Sequence, residues 1–192
     1  MKSVLARKAI LAAWGLLIVS GLTFYLLRPD LFSPDHIAAL LAKFQSEALI
    51  VFLAVSIVRG FTLLPSTPLI IAGTLAFPTA PWTVLAISMI GIIASSSMIY
   101  WFSEALGIAA HFEERKPAAV AKIRRRLEHP TGIAFVFLWA FFPLVPTDAV
   151  CYVAGSIRMH FGKFIAAITG GELILCSFYI FGGSYLTGYF SG

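Results

Sequence analysis

Residues 59–77 read Arg59-Gly60-Phe61-Thr62-Leu63-Leu64-Pro65-Ser66-Thr67-Pro68-Leu69-Ile70-Ile71-Ala72-Gly73-Thr74-Leu75-Ala76-Phe77, an arginine and two prolines set into an otherwise apolar run. Proline lacks a backbone donor and its ring clashes with the preceding turn, so no helix passes unbroken through Pro65 and Pro68. From Ala48 the chain stays apolar for about thirty residues, which as one straight helix would measure roughly 45 Å, too long for a hydrocarbon core of about 30 Å. Two full spans would need about forty residues. A re-entrant hairpin of two half-helices meets both limits.

The device recurs. Ala140-Phe141-Phe142-Pro143-Leu144-Val145-Pro146-Thr147-Asp148 runs on to Ala154-Gly155, again a Pro-x-x-Pro followed by an apolar segment ending in Ala-Gly, as Pro65-x-x-Pro68 leads to Ala72-Gly73. Residues 132–138 are expected to enter the membrane and 149–157 to return.

Composition places both hairpins in a bilayer. The chain has 192 residues, 59% hydrophobic and only 12% charged, more apolar than a soluble interior can hide. The net charge of +5 does not imply nucleic acid, because the basic residues lie between apolar runs, without aromatic interleaving or a reader motif. Cys151 and Cys176 both sit in apolar runs and imply no disulfide framework. The four histidines share no ligand spacing, so no metal or other cofactor is expected.

Lys2, Arg7 and Lys8 precede an apolar stretch over residues 9–27, long enough to span and lacking a small-x-small cleavage site. It is expected to be a retained first helix with a cytoplasmic N-terminus. Ser33-Pro34 offers a cap and a first-turn proline, and Ile37, Leu40, Leu41 and Phe44 share one helical face, giving a short helix on the outer surface. Residues 82–102 form an ordinary span, followed by Arg115, Lys116, Lys122, Arg124, Arg125 and Arg126. Basic loops stay cytoplasmic; this loop does so only if residues 48–77 enter and leave on the outer side. A last span begins at Phe164 and carries the C-terminus outward.

The fold class expected is therefore an all-α integral membrane protein. Its core is an inverted repeat of re-entrant helical hairpin plus transmembrane helix, preceded by an extra N-terminal transmembrane helix. Residues 1–46 hold the first helix and the surface helix. Residues 47–190 form the repeat domain, with repeat one at 47–104, a basic cytoplasmic loop at 111–129 and repeat two at 130–190. In that loop Val120, Ile123 and Leu127 share a face, as in a helix lying on anionic headgroups; a solvated loop that only fixes orientation explains the charges equally.

Ionisable residues at membrane depth are candidate functional groups. Arg59 suits a lipid phosphate, or else closes off half-helix carbonyls. Asp148 suits a partner for Arg59 or a proton site, and Thr147 or Asp148 equally suits a cap on the returning half-helix. Glu172, about 13 Å into the last span from Lys163, is the best candidate for a proton-carrying carboxylate, since burial favours the protonated form. Gly60, Pro65, Pro68, Gly73, Pro143, Pro146 and Gly155 form the hairpin framework. Gly91, Ala94 and Ser95 in one span and Ala167, Gly170 and Gly171 in the other mark close helix packing.

With Arg59-Gly60-x4-Pro65-Ser66-Thr67-Pro68-x4-Gly73 and Phe142-Pro143-x2-Pro146-x8-Gly155 in view, the chain resembles the DedA family, also called SNARE-associated Golgi or VTT-domain proteins, over residues 45–190. The resemblance implies two opposed re-entrant hairpins and the translocation of polyprenyl-phosphate carriers or scrambling of phospholipids. In bacteria it also implies a bearing on envelope integrity and on proton-motive force. Ser66 and Thr67 stand where many bacterial members carry acidic residues, and Ala140 and Pro146 where they carry arginines. The chain is thus more similar to the Pro-x-x-Pro branch, and the family's carboxylate and arginine roles do not carry over. The function expected is translocation of a lipid with an anionic headgroup across a bacterial inner membrane, without enzymatic chemistry. The alternatives are a proton-coupled small-solute exporter, using Asp148 and Glu172, and a scaffold whose basic loop from Arg115 to Arg126 recruits partners. The partners expected are membrane lipids, and a homo-oligomer is compatible with all three readings.

Overall fold

A computed structural model describes residues 2–106, 117–142 and 145–190; Arg115 and Pro143, read above as a surface cation and a framework residue, lie outside them. Among the described residues every regular element is helical: α1 (Lys2–Leu27), α2 (Pro34–Ala42), α3 (Ala48–Arg59), α4 (Thr67–Ala76), α5 (Pro81–Leu106), α6 (Pro117–Glu128), α7 (Pro130–Phe141), α8 (Thr147–Ser156) and α9 (Phe161–Phe190). Proline punctuates the chain. α2, α5, α6 and α7 each begin on one, where the missing N–H would have had no helical partner. Ser33 caps α2 as its sequence signalled, its side chain accepting from the His36 N–H at 3.3 Å.

Four described stretches are long and apolar enough to cross a membrane: Ile10–Leu27, Gln45–Thr62, Pro81–Glu104 and Phe161–Gly182. The third and fourth match the two ordinary spans. Gln45–Thr62 is longer than a half-helix needs to be, because the 3-10 turns Gln45–Glu47 and Gly60–Thr62 extend α3 at both ends. Thr67–Ala76 and Pro130–Phe141 are apolar but shorter.

The chain doubles back at both proline breaks. Phe52, in the second turn of α3, stands against Gly73, and its ring lies 6.4 Å from that of Phe77, just past α4, so α4 ends at the level where α3 begins. In the second pair, the α8 terminus returns to the helix ahead of α7, where Arg124 of α6 donates its Nε hydrogen to the Ile157 carbonyl. Between the two pairs stand α5 and α9. Their shared core includes Ile99, Phe164, Ile168 and Ile180, all fully buried. The outer faces are apolar too: Leu16 and Phe178 are each 71% exposed, an arrangement that suits lipid rather than water.

Small residues set the helix spacing. A Cβ on Gly155 would lie 2.1 Å from Ser103 Oγ and 2.2 Å from the Tyr100 carbonyl oxygen, so α8 rests directly on the α5 backbone. A Cβ on Gly171 would meet the Phe137 carbonyl at 2.5 Å, which brings α9 against α7 in the same way. Gly155→Ala is therefore expected to lower stability by about 1–3 kcal/mol through overpacking. Gly15→Ala, with nothing within 4 Å, should leave it unchanged. Unfolding of both variants in mixed micelles checks the difference.

Candidate functional site

The two breaks meet each other. α3 ends at Arg59 and tightens into the turn Gly60–Thr62, where Thr62 Oγ1 donates to the Arg59 carbonyl at 2.6 Å. Leu63 then adopts a left-handed conformation, φ 58 and ψ 18, which costs a non-glycine residue roughly 1–2 kcal/mol. That turn presents the Leu64 carbonyl to Arg59 Nη1 at 2.9 Å. The same Nη1 reaches Asp148 Oδ2 at 3.1 Å, with the two side chains only 10% and 3% exposed. Gly60 permits the approach: a Cβ there would lie 2.8 Å from Ser95 Cβ and 3.2 Å from Asp148 Oδ1.

The second break supplies the acidic half. Phe142 and Pro146 are extended, and Trp139 Nε1 donates across the turn to the Pro146 carbonyl at 3.3 Å. α8 then starts at Thr147, with Asp148 in its first turn, where the helix dipole favours negative charge. The N-cap position falls to Pro146, whose ring offers no cap, and both side chains of the first turn reach beyond their own helix. Thr147 Oγ1 donates to Glu172 Oε1 of α9 at 2.6 Å, and Asp148 is held by Arg59. Glu172 is fully buried, and its second oxygen, Oε2, has no partner among the described residues. One helical turn beyond Asp148, the Tyr152 hydroxyl donates to the Phe61 carbonyl at 3.3 Å and accepts from Trp14 Nε1 at 2.9 Å, tying α1 and both breaks together.

A cavity of about 550 Å³ opens at this junction, with Arg59, Pro65, Ser66, Pro146, Asp148 and Tyr179 in its lining. Leu22, Tyr25 and Leu26 of α1 form another wall. Pro68 also lines it, whereas Glu172 sits behind Thr147, which does. Gly60, Gly73 and Gly155 serve packing around the site rather than its surface. Lys122, Arg125 and Arg126 are exposed on α6 and Arg124 is half-buried; none of the four lines the cavity. Sequence reasoning did not single out Tyr152 or Trp14. Tyr152 follows Asp148 by four residues and so shares its helix face, a usable signal, whereas nothing in the sequence around Trp14 pointed to the site.

A guanidinium carries five N–H donors in a planar fork, and only Nη1 of Arg59 is committed to partners among the described residues. The remaining donors suit the oxygens of a phosphate or carboxylate. No group of three His, Cys, Asp or Glu that could hold a metal occurs among the described residues. Because Arg59 and Asp148 neutralise each other out of water, removing one partner should cost more than removing both. Asp148→Ala is expected to destabilise by about 3–5 kcal/mol, and the double variant Arg59→Met with Asp148→Leu by clearly less, as read by unfolding in mixed micelles.

A family model for the VTT domain matches residues 64–185, more than half of the chain, covering the first proline break, α4, both central spans and the whole second pair. No curated protein and no solved structure matches the chain.

Proposed function

We propose, from the premise that this chain belongs to the VTT-domain family, that it is an integral membrane protein that moves a lipid with an anionic headgroup across the bilayer through the junction of its two broken-helix pairs. The observation that carries this reading is the placement of Arg59 and Asp148, one from each pair, on the wall of a single cavity of about 550 Å³. The headgroup competes with Asp148 for the guanidinium, so binding and release exchange one charge-assisted contact for another. No bond is made or broken in the substrate, and the activity is transport, not catalysis.

In this reading the two pairs are re-entrant hairpins of opposite orientation, α3–α4 entering from the outer face and α7–α8 from the cytoplasmic face of a bacterial inner membrane. The irregular backbone at 63–66, 142 and 145–146 is tolerated at depth because it lines a cavity instead of lipid. The doubling back of α4 beside α3 supports a hairpin over a single crossing, although α3 with its flanking turns has the length of a span. Accessible cysteines distinguish the two. Lys43→Cys and Thr79→Cys should react with an impermeant thiol reagent from one side and Lys122→Cys from the other, native Cys151 and Cys176 both being buried. Labelling of Lys43→Cys and Lys122→Cys from the same side would refute the hairpin.

One observation favours coupling to protons. Glu172 is fully buried, bonded through one oxygen to the second break and unpartnered at the other, where a proton or a water fits. A proton-coupled exporter of small solutes would use the same carboxyl. In proteoliposomes holding a fluorescent phospholipid, the intact protein should accelerate loss of inner-leaflet protection, and Arg59→Gln should slow it by about tenfold, the worth of one charge-assisted hydrogen bond. Solute-dependent proton flux without lipid movement would favour the exporter.

A further inference from the structure

A second space adjoins the first. A groove of about 440 Å³ runs between α2, α3 and the first break, walled by Ile37, Leu40, Phe44, Val51, Val55 and Leu69 among others. It shares Tyr25, Arg59, Leu64, Pro65 and Pro68 with the cavity at the junction, so the two are adjoining compartments with a common wall. Their linings differ in chemistry. Among the described residues that line the groove, those with polar side chains are Tyr25 and Arg59, both at the shared end. The cavity adds Ser66, Thr67, Thr147, Asp148 and Tyr179.

We propose that the groove is a hydrocarbon-tail subsite: one acyl or prenyl chain lies along α2 and α3 while the anionic headgroup of the same molecule occupies the cavity at Arg59. This rests on the lipid reading above and extends it, assigning the tail a place on the protein rather than in the surrounding bilayer. The occupant follows from the order of polarity. A molecule that fills both compartments must be anionic at one end and apolar beyond it, which describes an amphiphile and not a solute or a peptide. α2 explains its presence by the same logic, since Ile37, Leu40 and Leu41 face the groove and Leu41 packs into the core beneath it. Val55, 43% exposed, and Leu40, 40% exposed, leave the outer edge open toward the bilayer, so a chain can enter from the side.

The test uses the full chain in proteoliposomes with a phosphatidylglycerol bearing a photoactivatable diazirine in one acyl chain, and a diacylglycerol with identical chains as the uncharged control. Cross-linked residues are mapped by mass spectrometry while translocation of a fluorescent phosphatidylglycerol is followed in the same vesicles. Phe178, 71% exposed on α9, reports ordinary boundary lipid. Groove residues should be labelled by the charged probe about tenfold more than by the uncharged one, the worth of a charge-assisted hydrogen bond to Arg59, with Phe178 labelled equally by both. Arg59→Gln should erase the difference. Val55→Trp, which fills the groove from its open edge and leaves Arg59 and Asp148 in place, should lose groove labelling and slow translocation.

Equal groove labelling by both lipids would overturn the proposal, as would cross-links joining two copies of the chain through α2. Wild-type labelling and transport in Val55→Trp would overturn it as well. The two readings fail separately. Translocation without charge-selective groove labelling removes the tail site and keeps the transporter; charge-selective labelling without translocation keeps the site and removes the transport.

Discussion

A guanidinium and a carboxylate held 3.1 Å apart and almost wholly out of solvent constrain the rest of this molecule. Neither group is affordable alone in such surroundings, and each is delivered by a helix that has been interrupted. The interruption is the means of delivery: α3 must stop for Arg59 to bond the Leu64 carbonyl, and α8 must start afresh for Asp148 to occupy a first turn. Gly60 is then a condition for bringing the end of α3 against Ser95 of α5, while Gly155, at the far end of α8, seats that helix on α5 at Tyr100 and Ser103.

The second polar contact, Thr147 to Glu172, adds a vertical tie from the same helix start into α9. Adjacent residues thus hold opposite neighbours, Asp148 reaching the other pair and Thr147 reaching a full-length span. Any shift of the α8 start changes both contacts at once. The Arg59–Asp148 and Thr147–Glu172 contacts are therefore tied to one another through one helix end rather than through a chain of side chains.

Much of the scaffold was legible because proline and hydrophobic length are local signals. Pro34 opens a helix as its position after Ser33 implied, and the Ser33 cap is present. Arg59, Asp148 and Glu172 could be singled out because charge in an apolar run is conspicuous whatever the fold. Their partners were less legible. Whether Thr147 caps its own helix or bonds Glu172 depends on where α9 lies, and both choices look the same in sequence. Trp14 reaches Tyr152 across 138 residues, and an aromatic in a first membrane helix has many bland reasons to be there. The 3-10 turn Gly60–Thr62 was invisible for another reason, since it ends on Leu63 in a left-handed backbone that its side chain disfavours.

α1 occupies an unusual energetic position. It walls the cavity through Leu22, Tyr25 and Leu26, yet only 6% of its apolar stretch Ile10–Leu27 is buried. A polar tie from α1 to the body is the Trp14–Tyr152 hydrogen bond, worth about 1 kcal/mol. Beside that bond Ile18 is buried, Gly21 lies against Thr62, and the Trp14 ring meets those of Phe102 and Tyr152. α1 is thus a facing laid on the body rather than a beam within it: it closes one side of the cavity while most of its own apolar residues stay partly or fully exposed.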